Sequence, residues 1–363
     1  MVEPAPRPTL RVFDGLRASD LLLRADVVTL SDVVLARVAW LWKDRIALGK
    51  LNAIVGNAGL GKSTLALEIA ARLTTGCDMP DGATGLPVAD VVVLSLEDGA
   101  ADTIKPRLLR ASGDSQRVHL LTSVRDEQGS PRLPTLPDNV DIVQALIETV
   151  DAKLLIVDPF SAYLSSDVNS WRDADVRRAL APLAKLADDL GIAVLLIIHL
   201  SKAKGVDPLH RVAGSIAMGA ALRQIILVAE DPHDEDRRLV AQLKSNLAPR
   251  AKTLAYTFGV ADEWGAAPIE WAGETNHRIR DLLGSNQRRD SALERAKEIL
   301  RTTLSVGPVL ADEAIDEVMT FAHVSERTVN RAKSALGVVS YREGGLGSDG
   351  AWFWRLERAV DDA

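Results

Sequence analysis

The sequence predicts an α/β core on a mainly parallel sheet, followed by a small helical module with a terminal hairpin. Three observations carry this. Strand-sized apolar runs alternate with helix-period segments from Leu51 to about Thr257. The first run feeds directly into Gly56 to Ser63, reading GNAGLGKS, which fits G-x-x-x-x-G-K-[ST]. Beyond a polar stretch at 275–290, three helix-period segments and two strand-like runs close the chain in the order of a winged helix-turn-helix.

Each element has its own signal. Leu51–Val55, Val91–Leu96, Leu154–Val157, Ile192–Ile198, Gln224–Ala229 and Arg238–Leu243 are strand candidates, apolar and short. Lys62–Leu73, Ala101–Ala111, Asn139–Thr149, Asp173–Leu190 and Gly214–Leu222 are helix candidates. Strands alternating with helices imply a sheet covered on both faces. Thr122 to Asn139, rich in Pro, Gly and charge, reads as an exposed excursion, and the acidic run Glu230 to Asp236 as a solvated turn. The expected division is an N-terminal arm over 1–30, a core over 31–274, a linker over 275–290 and the module over 291–358. Met1 to Pro8 looks like a disordered lead-in without an apolar signal core.

Composition bounds the function. At 363 residues with 47% apolar content, the chain can bury a proper core. No apolar run approaches the ~20 residues that span a bilayer. Cys77 is the only cysteine, so neither an intrachain disulfide nor a cysteine-based metal site is expected, and the cytoplasm is favoured. A net charge of −7 argues against blanket nucleic-acid binding; any such site must be a local basic patch.

The glycine-rich motif has a chemical reading. Gly56, Gly59 and Gly61 let successive N–H groups turn inward toward a phosphate, with Asn57, Ala58 and Leu60 supplying the rest of the cradle. A helix starting at Lys62 adds its positive dipole end. Lys62 would reach the β- and γ-phosphates, and Ser63, with Thr64 beside it, would hold Mg²⁺. A plain glycine turn is the bland alternative. Three other strands end in polar residues: Glu97, Asp158 and His199. Asp158 could hold Mg²⁺ through water or merely cap a turn. Glu97 could orient the attacking water or sit in a solvated loop. His199 could sense the γ-phosphate or be structural. Convergence at strand carboxyl ends, where open parallel sheets bind ligands, favours the functional reading of all three.

The phosphate loop, Ser95 to Asp98, Leu155 to Asp158, and His199-Leu200-Ser201-Lys202, in this order, resemble the RecA-like ATPases of the RepA type. These are ring-forming, usually hexameric, helicases of plasmids, phages and mobile elements. The resemblance covers about Ser31 to Thr257. It implies ATP and Mg²⁺ as cofactors, Glu97 as catalytic base, Asp158 as second Mg²⁺ partner and His199 as γ-phosphate sensor. It also implies that Arg223 is an arginine finger reaching a neighbouring subunit, with Lys244 a second basic residue at that interface. Single-stranded DNA is the implied partner, gripped by 161–172, with Tyr163, Trp171 and Arg172, and by 202–214, with Lys202, Lys204, His210 and Arg211.

In the C-terminal module, Ser325 is placed to cap a helix on which Val329, Ala332 and Leu336 share one side. Arg327, Arg331 and Lys333 remain for DNA, duplex DNA being the natural partner of a recognition helix. Asp312, Glu313, Asp316 and Glu317 make the preceding helix acidic, so protein docking stays open. The leading reading is an ATP-driven motor on single-stranded DNA in a homo-oligomeric, hexameric ring, a replicative helicase away from any membrane. The alternatives are a loading, recombination or regulatory ATPase docked on duplex DNA, and a nucleotide-gated switch with little turnover.

Overall fold

The computed structural model describes residues 12–13, 16–17, 28–165, 168, 172–200, 216–277, 279–343 and 350–356. Two compact units divide after Ala39. In the first, two-residue strands β1 (Val12–Phe13) and β2 (Leu16–Arg17) pair antiparallel. Its described apolar residues Leu30, Val34 and Leu35 are exposed. The second unit thus begins beyond the expected boundary at residue 30, and among the described residues the first buried ones are Leu41 and Trp42.

The second unit opens with a hairpin, β3 (Trp40–Trp42) and β4 (Ile46–Ala47), and then β5 (Lys50–Gly56) enters α1 (Lys62–Thr75). There follow β6 (Asp90–Ser95), α2 (Lys105–Arg110), β7 (Val118–Leu120), β8 (Val124–Arg125), β9 (Pro131–Arg132), α3 (Val140–Val150) and β10 (Ala152–Asp158). Then come α4 (Asp173–Leu190), β11 (Ala193–His199), α5 (Ile216–Ala221), β12 (Gln224–Glu230), β13 (Arg238–Ser245), β14 (Thr253–Phe258) and β15 (Ile269–Thr275). Nine strands form one sheet in the order β15-β14-β13-β12-β5-β11-β10-β6-β7. From β12 to β7 the neighbours are parallel, and β13, β14 and β15 join antiparallel.

The parallel strands are largely apolar because both faces are covered, and buried Asn52 of β5 is hydrogen-bonded to Ala47. One face packs Leu155, Val157, Leu183 and Val194 with α3 and α4; the other packs Ile54, Leu65, Ile69 and Ile156 with α1. All six expected strands and all five helix candidates recur with shifted ends, Asp173–Leu190 without any shift. One lies partly outside the described residues, which resume at 216. The helix expected from Ala101 opens with a π turn over Ala100–Ile104. The excursion at 122–139 is a short hairpin whose far end is not exposed: Leu136 is fully buried and bridges Leu164. The acidic turn also departs from expectation, since Asp231 is wholly buried on Arg237 at 2.6 Å.

The stretch expected as a linker is mostly helical. Residues 279–290 belong to one helix, α6 (Ile279–Thr303), that joins core and module. Leu282 anchors it in the core, and Ala296 and Leu300 in the module. No proline interrupts the polar stretch, and the single Gly284 costs only about 1 kcal/mol. The module continues with β16 (Val309–Leu310), α7 (Ala311–Ala322), α8 (Glu326–Ala335), β17 (Val338–Glu343) and β18 (Ala351–Leu356), its strands ordered β16-β18-β17. Among the described residues, no helix is long and apolar enough to cross a membrane.

Candidate active site

The site forms where β5 ends. Gly56 lies beside β12 so closely that a Cβ there would meet Val228 O at 2.5 Å, so no side chain fits. Gly61 has φ of +80°, and a Cβ would strike the Phe258 ring. The backbone therefore curls into α1 with Lys62 at its first turn. Lys62 Nζ donates to Asn57 O at 2.8 Å and lies 3.1 Å from His199 Nδ1.

Parallel register brings the other groups in. His199 is level with Gly56 across β5 and β11, and Asp158 with Ser95 across β10 and β6. Leu96 N donates to Asp158 O at 3.2 Å, holding Glu97 at the same edge. Asp158 is nearly buried, and burial raises its carboxyl to about 6 even though the Ser63 hydroxyl donates to it. Asp98, Glu97 and Lys62 all act on that carboxyl electrostatically. Burial lowers the Lys62 ammonium, against Asp158 and Glu97. Glu97 is exposed, whereas Asp98 is tied to Arg107 at 2.7 Å.

Lys62, Ser63, Asp158, Glu97 and His199 thus meet at one edge, as expected from the sequence. These residues fit a nucleoside triphosphate with Mg²⁺. Ser63 and Asp158 already share a hydrogen bond, and a divalent cation would relieve the cost of ionising that buried carboxyl. When bound, Mg²⁺ would offset charge on the phosphates and Lys62 would hold them; Glu97 is exposed beside them.

Arg223 and Lys244 lie elsewhere. Arg223 N donates to Leu51 O at the amino end of β5, roughly 15 Å along the strand from the loop. Its side chain is exposed. Lys244 Nζ donates to Gly219 O at 2.7 Å and Leu222 O at 2.9 Å, so it caps the carboxyl end of α5 beside Arg223.

The expected DNA groups divide. Lys202, Lys204, His210, Arg211 and Trp171 lie outside the described residues. Tyr163 is 1% exposed, so it is no stacking platform; burial and Asp158 push its hydroxyl up to about 12. In the module, Ser325 stands at the start of α8 but its hydroxyl turns to Glu235 at 3.1 Å instead of capping the backbone. Arg327 also binds Glu235, at 2.9 Å, and Lys333 lies 4.4 Å above the Trp354 ring. Arg331 is exposed. Sequence reasoning gave no sign of the contact with Glu235, which needs two segments 90 residues apart to meet. It also missed β14, and β15, where exposed and half-buried residues alternate and read weakly.

The model of the AAA domain family matches residues 17–205, more than half of the chain. This chain belongs to the AAA domain family. The matched AAA region contains the phosphate loop, Glu97, Asp158 and His199. Among characterised proteins the chain is similar to DNA repair protein RadA of Listeria monocytogenes, at 27% identity over 42% of this chain and 28% of the relative. It is also similar to RadA of Streptococcus pneumoniae, at 22% identity over 82% of this chain and 61% of the relative. It therefore spans less than two thirds of the length of either. Among solved structures, the RadB recombinase covers 62% of this chain and 93% of its own, with a TM-score of 0.42 and 19% identity. A second solved structure, an ATPase domain, covers 62% and 85%, with a TM-score of 0.45 and 15% identity. Both scores mark loose likenesses.

Proposed function

We propose that this AAA-family protein is a RecA-like ATPase that works as a motor on single-stranded DNA, in a homo-oligomeric ring of the RepA helicase type. The convergence of Lys62, Ser63, Asp158, Glu97 and His199 at the carboxyl edge of neighbouring parallel strands carries the ATPase reading. Lys62 and the loop amides bind phosphates, Ser63 and Asp158 hold Mg²⁺, and Glu97 takes a proton from water. His199 bridges the loop to the strand that leads toward 202–214, so phosphate state reaches that segment through it.

The exposed Arg223, at the far end of the sheet from its own loop, supports a role at another subunit's site. In this reading Lys244 fixes the segment that presents it. The three helices and hairpin beyond 291 serve as a winged helix, with Arg331 on its open side.

The similarity to RadA over 82% of the chain favours a second reading, a DNA-repair or recombination ATPase that does not unwind forks. ATP turnover with and without single-stranded DNA, across protein concentrations, tests both. Cooperative stimulation supports a ring motor. Turnover indifferent to single strands removes that reading, and stimulated turnover without fork unwinding selects the second.

A further inference from the structure

We propose that the nucleobase of the bound triphosphate rests against Phe258, at the turn between β14 and β15. This builds on the nucleotide reading above and names the part of the molecule that holds the base.

The phosphate end of the site has a direction. His199, Asp158 and Glu97 stand at the carboxyl ends of β11, β10 and β6, to one side of the loop strand β5. A γ-phosphate drawn toward them leaves the ribose and base to exit away from those strands. On that opposite side lie β12, β13 and β14. Because β13 is antiparallel to both its neighbours, β14 runs parallel to β5 and ends at the same edge. It ends in Phe258.

This segment is locked onto the loop and its helix. The Tyr256 hydroxyl donates to Leu60 O at 3.2 Å, and Trp271 Nε1 to Glu68 of α1 at 3.3 Å. Phe258 is so close to Gly61 that a Cβ there would meet its Cζ at 2.4 Å. Tyr256 braces the Phe258 ring edge-on, with centroids 5.5 Å apart. The ring is only half-buried in spite of these contacts.

The turn beyond is ordered yet exposes large apolar side chains. Asp262 Oδ1 accepts from Trp264 N and Ala266 N at 3.0 and 2.9 Å. Arg110 reaches across to Val260 O at 3.5 Å. Still, Val260 is 85% and Trp264 68% exposed. A fixed turn that shows large apolar groups beside a phosphate loop suits a flat aromatic ligand. Recognition through a ring face is tolerant of base identity, since every base has such a face.

The test compares Phe258→Ala and Phe258→Tyr in the full chain. Binding of Mg-ATP and of inorganic tripolyphosphate is measured by calorimetry. Phe258→Ala is expected to weaken ATP roughly tenfold and leave tripolyphosphate unchanged, with Phe258→Tyr restoring ATP. Unchanged ATP affinity in Phe258→Ala overturns the base site alone. So does an equal loss for both ligands, which would mean a damaged phosphate loop. A wild-type protein that binds neither ligand overturns the nucleotide reading itself, and the base site with it.

Discussion

Lys62 Nζ and His199 Nδ1 stand 3.1 Å apart, joining the phosphate loop to the end of β11. An ammonium can only donate, so Nδ1 accepts and the imidazole is neutral, with its proton on Nε2. Burial and that same ammonium hold His199 below its ordinary range. A phosphate competes for the Lys62 donors, so its arrival changes what His199 holds. His199→Ala is therefore expected to keep ATP affinity within about threefold while cutting DNA-stimulated turnover at least about tenfold. Lys62→Ala is expected to lose ATP binding. Calorimetry and phosphate release separate the two; full DNA stimulation in His199→Ala removes the relay.

Glu97 and Asp98 are neighbours with different fates. Asp98 is spent on Arg107, whereas Glu97 is exposed toward the site. Glu97→Gln is expected to lower turnover by roughly 10²–10⁴ with ATP still bound. Asp98→Asn breaks a partly exposed ion pair and is expected to cost about 1 kcal/mol or less of stability. Steady-state turnover decides; a larger loss in Asp98→Asn moves the base to Asp98.

Asp158 ties function to stability. Its carboxyl ionises at about 6 in the fold against 3.8 as the ordinary value. A raised value means the fold favours the neutral acid. That contribution is complete below the unfolded value and is lost as pH rises through about 6. The difference corresponds to roughly 3 kcal/mol. Without nucleotide or Mg²⁺, Asp158→Asn is expected to stabilise the protein at pH 8 and to change little at pH 4. It should also abolish Mg²⁺-dependent turnover. Urea melts at the two pH values check this, and equal effects at both would refute the burial argument.

Arg223 can be tested by complementation. Alone, Arg223→Ala is expected to bind ATP normally and lose roughly 10³–10⁵ in turnover. Mixed with Glu97→Gln, it should regain activity, because some sites then combine an intact Glu97 with a neighbour's Arg223. Absence of recovery in a mixed oligomer places the arginine outside the site.

The two module arginines should behave differently toward duplex DNA. Arg331 is exposed, and Arg327 rests on Glu235. Arg331→Ala is expected to reduce the slope of log K against log salt by about one, and Arg327→Ala by less. Fluorescence anisotropy over a salt series measures both, and identical slopes in both variants and the wild type would argue for protein docking.

The sequence by itself determined the order of core elements, the phosphate loop, and the polar residues at strand ends. It could do so because a strand buried on both faces must be apolar, and a charge at its end stands out against that run. What only the tertiary structure decided are contacts that join distant segments. Register across β5, β11, β10 and β6 brought Lys62, His199, Asp158 and Glu97 to one edge. Packing of β14 against the phosphate loop put Phe258 against Gly61. Burial took Tyr163 from candidate stacking group to core, although its sequence context reads as a loop. Tertiary anchors at Leu282 and Leu300 made one helix of a stretch whose polar composition resembles a linker. Local composition reports the solvent exposure a segment tolerates; which surfaces meet depends on chain closure over long separations, and that is set by packing.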